Sequence, residues 1–256
     1  MAIMKTLSMA MAGAAVIALG IVGTPARAAV ISFEGKDIGA SPTDPRPNSD
    51  AAAAAFDAAA GTLGSLNLID FESLPVGNFN AIDVAPGVTV TLTNTSSDAD
   101  AGITNVPGDN ILGYNTTAGG NQFLRTVPIF DIGTVTVDFS FAQMIQAFGL
   151  YLTGLGTANG NLNVLFDDGT SQLLPVVGNP SGGVQFFGFT DAGKNIMDVS
   201  LQLSNVVDGS RDIFGIDDVR FVTSTSVPEP TSTVAVLAFG AFGASSLLKR
   251  KQQQKA

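Results

Sequence analysis

The chain has 256 residues, a net charge of −10, no cysteine and no histidine. Without those two side chains, thiol chemistry, Ser-His triads, Cys-His dyads and the usual zinc sites are excluded. The charge is also segregated. Between residues 29 and 226, six bases stand against 21 acids, about −15 in all, a surface that repels nucleic acid and anionic lipid and attracts cations.

At the N-terminus, Lys5 precedes an apolar stretch from Leu7 to Val22 and the triplet Ala26-Arg-Ala28. This pattern predicts a secretory signal peptide over 1–28, cut between Ala28 and Ala29. Residues 29–64 read as a linker and a short helix. Val30-Ile-Ser-Phe33 is extended, and Ser41-Pro-Thr-Asp-Pro-Arg-Pro47 is irregular because of its three prolines. Ser49-Asp50 offers an N-cap to a helix over Ala51–Ala60, with Gly61 just past its end. Phe56 is the one large apolar anchor of this helix, which is too short to stand without docking on a sheet.

Residues 65–224 read as strands. Leu68-Ile-Asp-Phe-Glu72, Val88–Thr93, Thr134–Ser140, Ala147–Thr153 and Asn161–Phe166 carry the alternation and β-branched content of half-buried strands. Asp167-Asp-Gly169 signals a tight turn into Ser171–Leu174. Val184–Phe189, Met197–Leu203 and Phe214–Val222 complete the set. The prediction is a mainly β protein, a jelly-roll-like antiparallel β-sandwich with a short N-terminal helix. Its core is Phe-rich, with 17 Phe, two Tyr and no Trp.

The last segment, 225–256, has three parts: Val227-Pro228-Glu229-Pro230, an uncharged apolar run over 231–248, and the basic end beginning Lys249, Arg250 and Lys251. A spanning helix needs about 20 apolar residues, so the run predicts a short transmembrane helix. The basic cluster of Lys249, Arg250 and Lys251 holds that end in the cytoplasm and places the body outside. Pro228 and Pro230 keep the stretch before the run extended and open to a protease. Together these features resemble the PEP-CTERM sorting signal of Gram-negative bacteria. The resemblance implies an exosortase substrate that passes through the general secretion machinery. It would be anchored briefly in the inner membrane, cut near the Pro-Glu-Pro motif, and placed on the cell surface or in the extracellular matrix with exopolysaccharide and biofilm. Glu229 would then be read by the protease and would catalyse nothing itself.

The motifs Phe148-Gly-Leu-Tyr151, Phe187-Gly-Phe189 and Gly215-Ile-Asp-Asp-Val-Arg-Phe221 resemble strands of secreted β-sandwich modules and of some carbohydrate-binding jelly rolls. That likeness implies a structural calcium between the first and last strands, held by Glu72 with Asp217 or Asp218. Strand alternation puts Asp70 and Glu72 on one face, and Asp217 and Asp218 on opposite faces. The other reading leaves these acids solvated or bonded to loop amides. Asp98, Asp100 and Asp109, and Asp208 with Asp212, are acidic loop clusters. Sugar platforms want an exposed Tyr or Trp. Tyr151 has core periodicity, which leaves Tyr114, in its Gly-flanked loop, as the candidate ligand residue. The expectation is a non-enzymatic surface or matrix protein. The alternatives are a carbohydrate-binding module for the exopolysaccharide and an Asp-dependent glycosidase, which needs two carboxylates facing a cleft.

Overall fold

The computed structural model describes residues 30–96, 101–129, 134–191, 193–204 and 211–224. Several expectations lie outside these residues: the signal peptide with Ala26, Ala28 and Ala29, and the acids Asp98, Asp100 and Asp208. So does the whole tail, with Val227, Pro228, Glu229 and Pro230, the apolar run, and the basic residues Lys249, Arg250 and Lys251.

The elements in chain order are β1 (Ile31–Ile38), α1 (Pro47–Ala60), β2 (Leu66–Ile69), β3 (Ala81–Ala85), β4 (Val88–Thr93), β5 (Gly102–Thr104), β6 (Phe123–Thr126), β7 (Thr134–Thr153), β8 (Asn159–Phe166), β9 (Ser171–Val177), β10 (Gly183–Thr190), β11 (Ile196–Ser204) and β12 (Phe214–Thr223). Among the described residues no helix is long and apolar enough to cross a membrane.

Strand β7 is the seam of a mainly β antiparallel sandwich. The sequence predicts two strands over this stretch, but the backbone is one 20-residue strand that turns a corner. Along β11 the partner moves only from Asp198 to Ile196 while β7 advances from Ser140 to Ile145. The rings of Phe139 and Phe148 lie 5.2 Å apart, where a straight strand would separate them by about 30 Å. The N-terminal half of β7 belongs to a first sheet, ordered β3-β4-β7-β11-β8-β9. The C-terminal half belongs to a second, ordered β1-β10-β7-β12, with β2 and β6 side by side on the far edge of β12 and β5 beyond β6.

The core lies between the two sheets. Val137, Phe139 and Val90 of the first sheet pack toward Phe148, Leu150, Leu152, Phe187 and Phe189 of the second. Helix α1 forms a third layer on the outer face of the second sheet, where Phe56 joins Ala147, Tyr151, Phe186 and Val222. Its seat is a pair of glycines. Gly149 of β7 and Gly188 of β10 face each other in register. A Cβ on Gly188 would lie 2.7 Å from Phe56 Cδ2, and one on Gly149 would lie 2.8 Å from Phe186 Cζ. Two bare backbone positions let the helix ring settle onto the sheet.

Several expectations are corrected. The piece read as extended over Val30–Phe33, within the 29–64 linker, runs on to Ile38 as β1, an eight-residue strand paired along its length with β10. The helix starts at Pro47, whose fixed φ and missing N–H suit a first helical position. The N-cap expected at Ser49-Asp50 does not form, and Arg46 caps with no side-chain bond. The first-turn donors go instead to Asp37 of β1, which accepts from Asn48 N and Ser49 N at 3.1 and 2.8 Å and from Ser49 Oγ at 2.7 Å. Burial opposes the Asp37 charge, but the bonds from Ser49 and Asn48 outweigh it and hold the carboxyl below its ordinary value. Short β3, β5 and β6 carry too few residues for a periodic signal.

Strand β9 runs on past Leu174 to Val177 through Pro175. Gly178 N bonds Ala158 O and Phe166 N bonds Thr170 O, and the register between them pairs Asn161 with Pro175. That phase turns the missing N–H of Pro175 outward from the sheet edge, where it blunts pairing with another chain. Lys36 Nζ covers the same edge, donating to Val177 O at 2.9 Å.

Candidate functional site: a braced loop and its cleft

The acids that the sequence singles out converge on one loop, residues 113–122. Strand β2 ends at Ile69, short of the predicted Glu72, because Phe71 takes a left-handed backbone (φ 60°) and turns the chain. The turn carries Glu72 out of the strand. Its Oε1 accepts from Asn115 Nδ2, Asn121 N and Gln122 N, each at 2.8 Å. Gly120 allows this approach, since a Cβ there would lie 2.2 Å from that oxygen.

From the other side, β12 delivers Asp217 and Asp218 together. Opposite β7 the register jumps between Asp217 and Arg220, and Asp218 itself is left-handed (φ 46°). The bulge overturns the expectation of opposite faces, because both carboxylates meet the same loop. Asp217 Oδ2 accepts from Thr116 N at 2.5 Å, Thr116 Oγ1 at 2.9 Å and Thr117 N at 3.2 Å. Asp218 accepts from Thr116 Oγ1 at 3.1 Å and Thr117 Oγ1 at 2.7 Å. Phe71 and Asp218 are two of three described non-glycine residues with positive φ, so backbone strain is placed where the acids are aimed.

Asp217 is the group under most tension. Its residue is 0% exposed, and its Oδ1 is buried without a hydrogen-bond partner. Burial, then the neighbouring Asp218 charge, push its carboxyl up to about 7 against the opposing Thr116 bonds. Arg220 sits beside the pair, 3.8 Å from Asp218 Oδ2 and 3.3 Å from Asp57 of α1. Burial nevertheless leaves the Asp57 carboxyl raised despite Arg220. Among the described residues no group of three or more acids is arranged to hold a metal ion.

Tyr114 does not offer a stacking face. It is 1% exposed, and its hydroxyl donates to Ala40 O at 3.0 Å. Burial pushes its phenol up to about 12. Its backbone is clamped by Thr153 Oγ1, which accepts from Tyr114 N and donates to Tyr114 O. Tyr151 is buried as its periodicity predicts, with its hydroxyl donating to Asp50 at 2.9 Å. Arg46 and Arg220 lie 5.3 and 5.2 Å from the Tyr151 ring centre.

The braced loop forms one wall of an open cleft of about 580 Å³. The segment Pro42–Arg46 forms a second wall and Asn105–Gly108 a third. Among the described residues Arg46 is the one base lining it, and it is committed, with Nη2 donating to Thr116 O at 3.2 Å and Nε 3.5 Å from Asp50. Asp44 is bonded by Ser41 N and Oγ, which hold its carboxyl below its ordinary value. What remains open to a ligand is backbone, proline faces, Val106, the exposed amides of Asn105 and Asn121, and the second oxygens of the exposed Asp44 and Asp50. Sequence reasoning found the acids but missed this cleft, whose one signal was the Gly119-Gly120 pair in an acid-free loop.

The other acidic positions are local braces. Asp109 accepts from Ile111 N and Leu112 N. Asp212 accepts from Gly156 N and Ala158 N, and burial raises its carboxyl against those bonds. Asp168 closes the predicted turn at Gly169 (φ 77°), bonding Thr170 N and pairing with Lys194 at 3.0 Å.

No protein-family model matches the chain, and no curated protein does. Among solved structures it is similar to the K2 cleaved adhesin domain of Lys-gingipain, at 12% identity and TM-score 0.37, over 62% of this chain and 100% of that one. It is also similar to a family 11 carbohydrate-binding module from Clostridium thermocellum in complex with a mixed-linked tetrasaccharide, at 9% identity and TM-score 0.32, over 63% and 98%. A Ruminococcus gnavus GH29 fucosidase matches at 12% identity and TM-score 0.34 over 56% of this chain, which spans only 26% of that enzyme. Likenesses this slight leave the chemistry to the residues themselves.

Proposed function

We propose that the chain is an exported, exosortase-processed surface or matrix protein whose jelly-roll-like body binds and does not catalyse. Its partner in this reading is a neutral, hydroxyl-rich polymer such as the exopolysaccharide of the matrix, taken up in the cleft. One observation carries the binding part. Each acid that lines or braces the cleft is already engaged by the chain's own donors: Asp44 by Ser41, Asp50 by Tyr151, Glu72 by the loop amides, and Asp217 and Asp218 by Thr116 and Thr117. Glu72, Asp217 and Asp218 are turned into the brace and hold a shape, which leaves Asp44 and Asp50 as the exposed carboxylates of the cleft, each tied through one oxygen, whereas a glycosidase needs two carboxylates free to face the sugar. The export part is supported by the signal-peptide pattern and by the Val227–Pro230 motif ahead of the apolar run and the basic Lys249, Arg250 and Lys251.

Affinity electrophoresis of the mature protein through gels containing the producing cell's exopolysaccharide tests the binding. The expected result is retarded migration that is lost in the Asn105→Ala/Asn121→Ala double variant. Unretarded migration of the native protein overturns the reading, and release of reducing sugar turns it toward the glycosidase. A calcium held by Glu72 with Asp217 or Asp218 is a separate proposal, supported by the unpaired Oδ1 of Asp217. Heat release on calcium titration with a higher melting temperature supports it, and the absence of both disposes of it.

A further inference from the structure

The cleft and the two ends of the folded body lie at opposite poles. Across the second sheet, Ile31, Thr190, Ala147, Val222 and Leu66 fall in one row. The chain therefore enters β1 and leaves β12 at the same pole, with β10 and β7 between them. The β7 corner is at the same pole, where Ser224 N bonds Met144 O. At the other end of the sheet, Val184, Thr153, Gly215, Arg125 and Gly102 form the matching row. Gly39 to Arg46 follows β1 directly at that row. The stretch from Asn105 to Gln122 joins β5 to β6 at their other end and reaches back to the row, where Asn110 O accepts from Gly183 N and Thr153 Oγ1 accepts from Tyr114 N. The six steps from Ala147 to Thr153 put about 20 Å between the two rows.

We propose that the cleft is presented away from the membrane while the chain is still tethered, so that its partner is met in the extracellular space and not at the lipid surface. This rests on the reading of the tail as an anchor. The chemistry of the cleft agrees with it. Its single base, Arg46, is spent on Asp50 and Thr116, and Asp44 remains beside it, so an anionic headgroup finds repulsion there and no cation to meet it. A neutral polymer held by backbone groups and amides meets neither obstacle.

The absence of cysteine makes the test clean. Single variants Asn121→Cys in the cleft wall and Ala142→Cys at the β7 corner, both exposed positions, are labelled with a fluorophore. Each full-length chain is then incorporated into phosphatidylcholine vesicles carrying a headgroup quencher. The expected result is quenching several-fold stronger at position 142 than at 121. Equal or stronger quenching at 121 overturns the orientation alone. Protein that fails to float with the vesicles overturns the anchor reading, and the orientation falls with it.

Discussion

The two outer faces of the sandwich are built on the same strand and have opposite fates. Beyond the corner of β7, the central strands of the second sheet are buried on both sides: β10 is buried at all eight positions, and β12 at eight of its ten. Helix α1 and the braced loop cover them. Before the corner, the first sheet alternates, with Val135, Val137 and Phe139 inward and Thr134, Thr136, Asp138 and Ser140 outward. Its register lines Thr91, Asp138, Ser200 and Asn163 across four strands, a polar face in which Ser200 is buried by its neighbours and the other three are half-buried. A sheet facing water on one side needs only alternation, but one covered on both sides needs a specific partner for every outward residue. The glycine pair under Phe56 and the arginines around Tyr151 are those partners.

Variants can break this contrast. The largest effect is expected at Phe56→Ala. The ring is 0% exposed, touches Phe33 and Phe186, and is the helix's main hold on the sheet. Truncation should cost about 3–5 kcal/mol in urea unfolding. A loss below about 1 kcal/mol would mean that the polar contacts of Asp37 and Arg46 hold the helix unaided.

A middle-sized effect, dependent on pH, is expected at Asp217→Asn. The folded protein holds this carboxyl at about 7, above the ordinary 3.8. The folded state therefore keeps a proton that the unfolded chain releases, and stability falls as pH rises from 3.8 toward about 7. Asparagine retains an acceptor for Thr116 without the charge. Its melting temperature should fall less than the native protein's across that window and exceed it at pH 8, whereas parallel curves would refute the protonated Asp217.

The smallest effect is expected on the other face. Thr136→Ala should change stability by no more than about 0.5 kcal/mol. A larger loss in the same unfolding assay would show that the polar face of the first sheet is packed against something and is not free.

How much of this was legible follows the same division. Val88–Thr93 matched its predicted strand end to end, because an alternating strand with one wet face writes its burial into its residues. The corner of β7 was not legible. Phe141 to Met144 look like a gap between strands until the pairing partner is known. Glu72, Asp217 and Asp218 were picked out as a group, and they do meet one loop. Their geometry was misjudged because two left-handed residues, Phe71 and Asp218, break the alternation that the prediction used. Tyr114 looked like a loop residue open to solvent, and only the approach of Ala40 and Thr153 from distant parts of the chain buries it.

By itself, the sequence determined the chemistry available and the β class, and it supplied the terminal patterns on which the export proposal rests, since composition and local periodicity are properties of the chain alone. Tertiary structure decided which face the helix covers, what the acids hold and where the cleft opens. Those depend on contacts between residues as far apart as Thr116 and Asp217, and their geometry exists only after β7 has turned its corner and β12 has bulged.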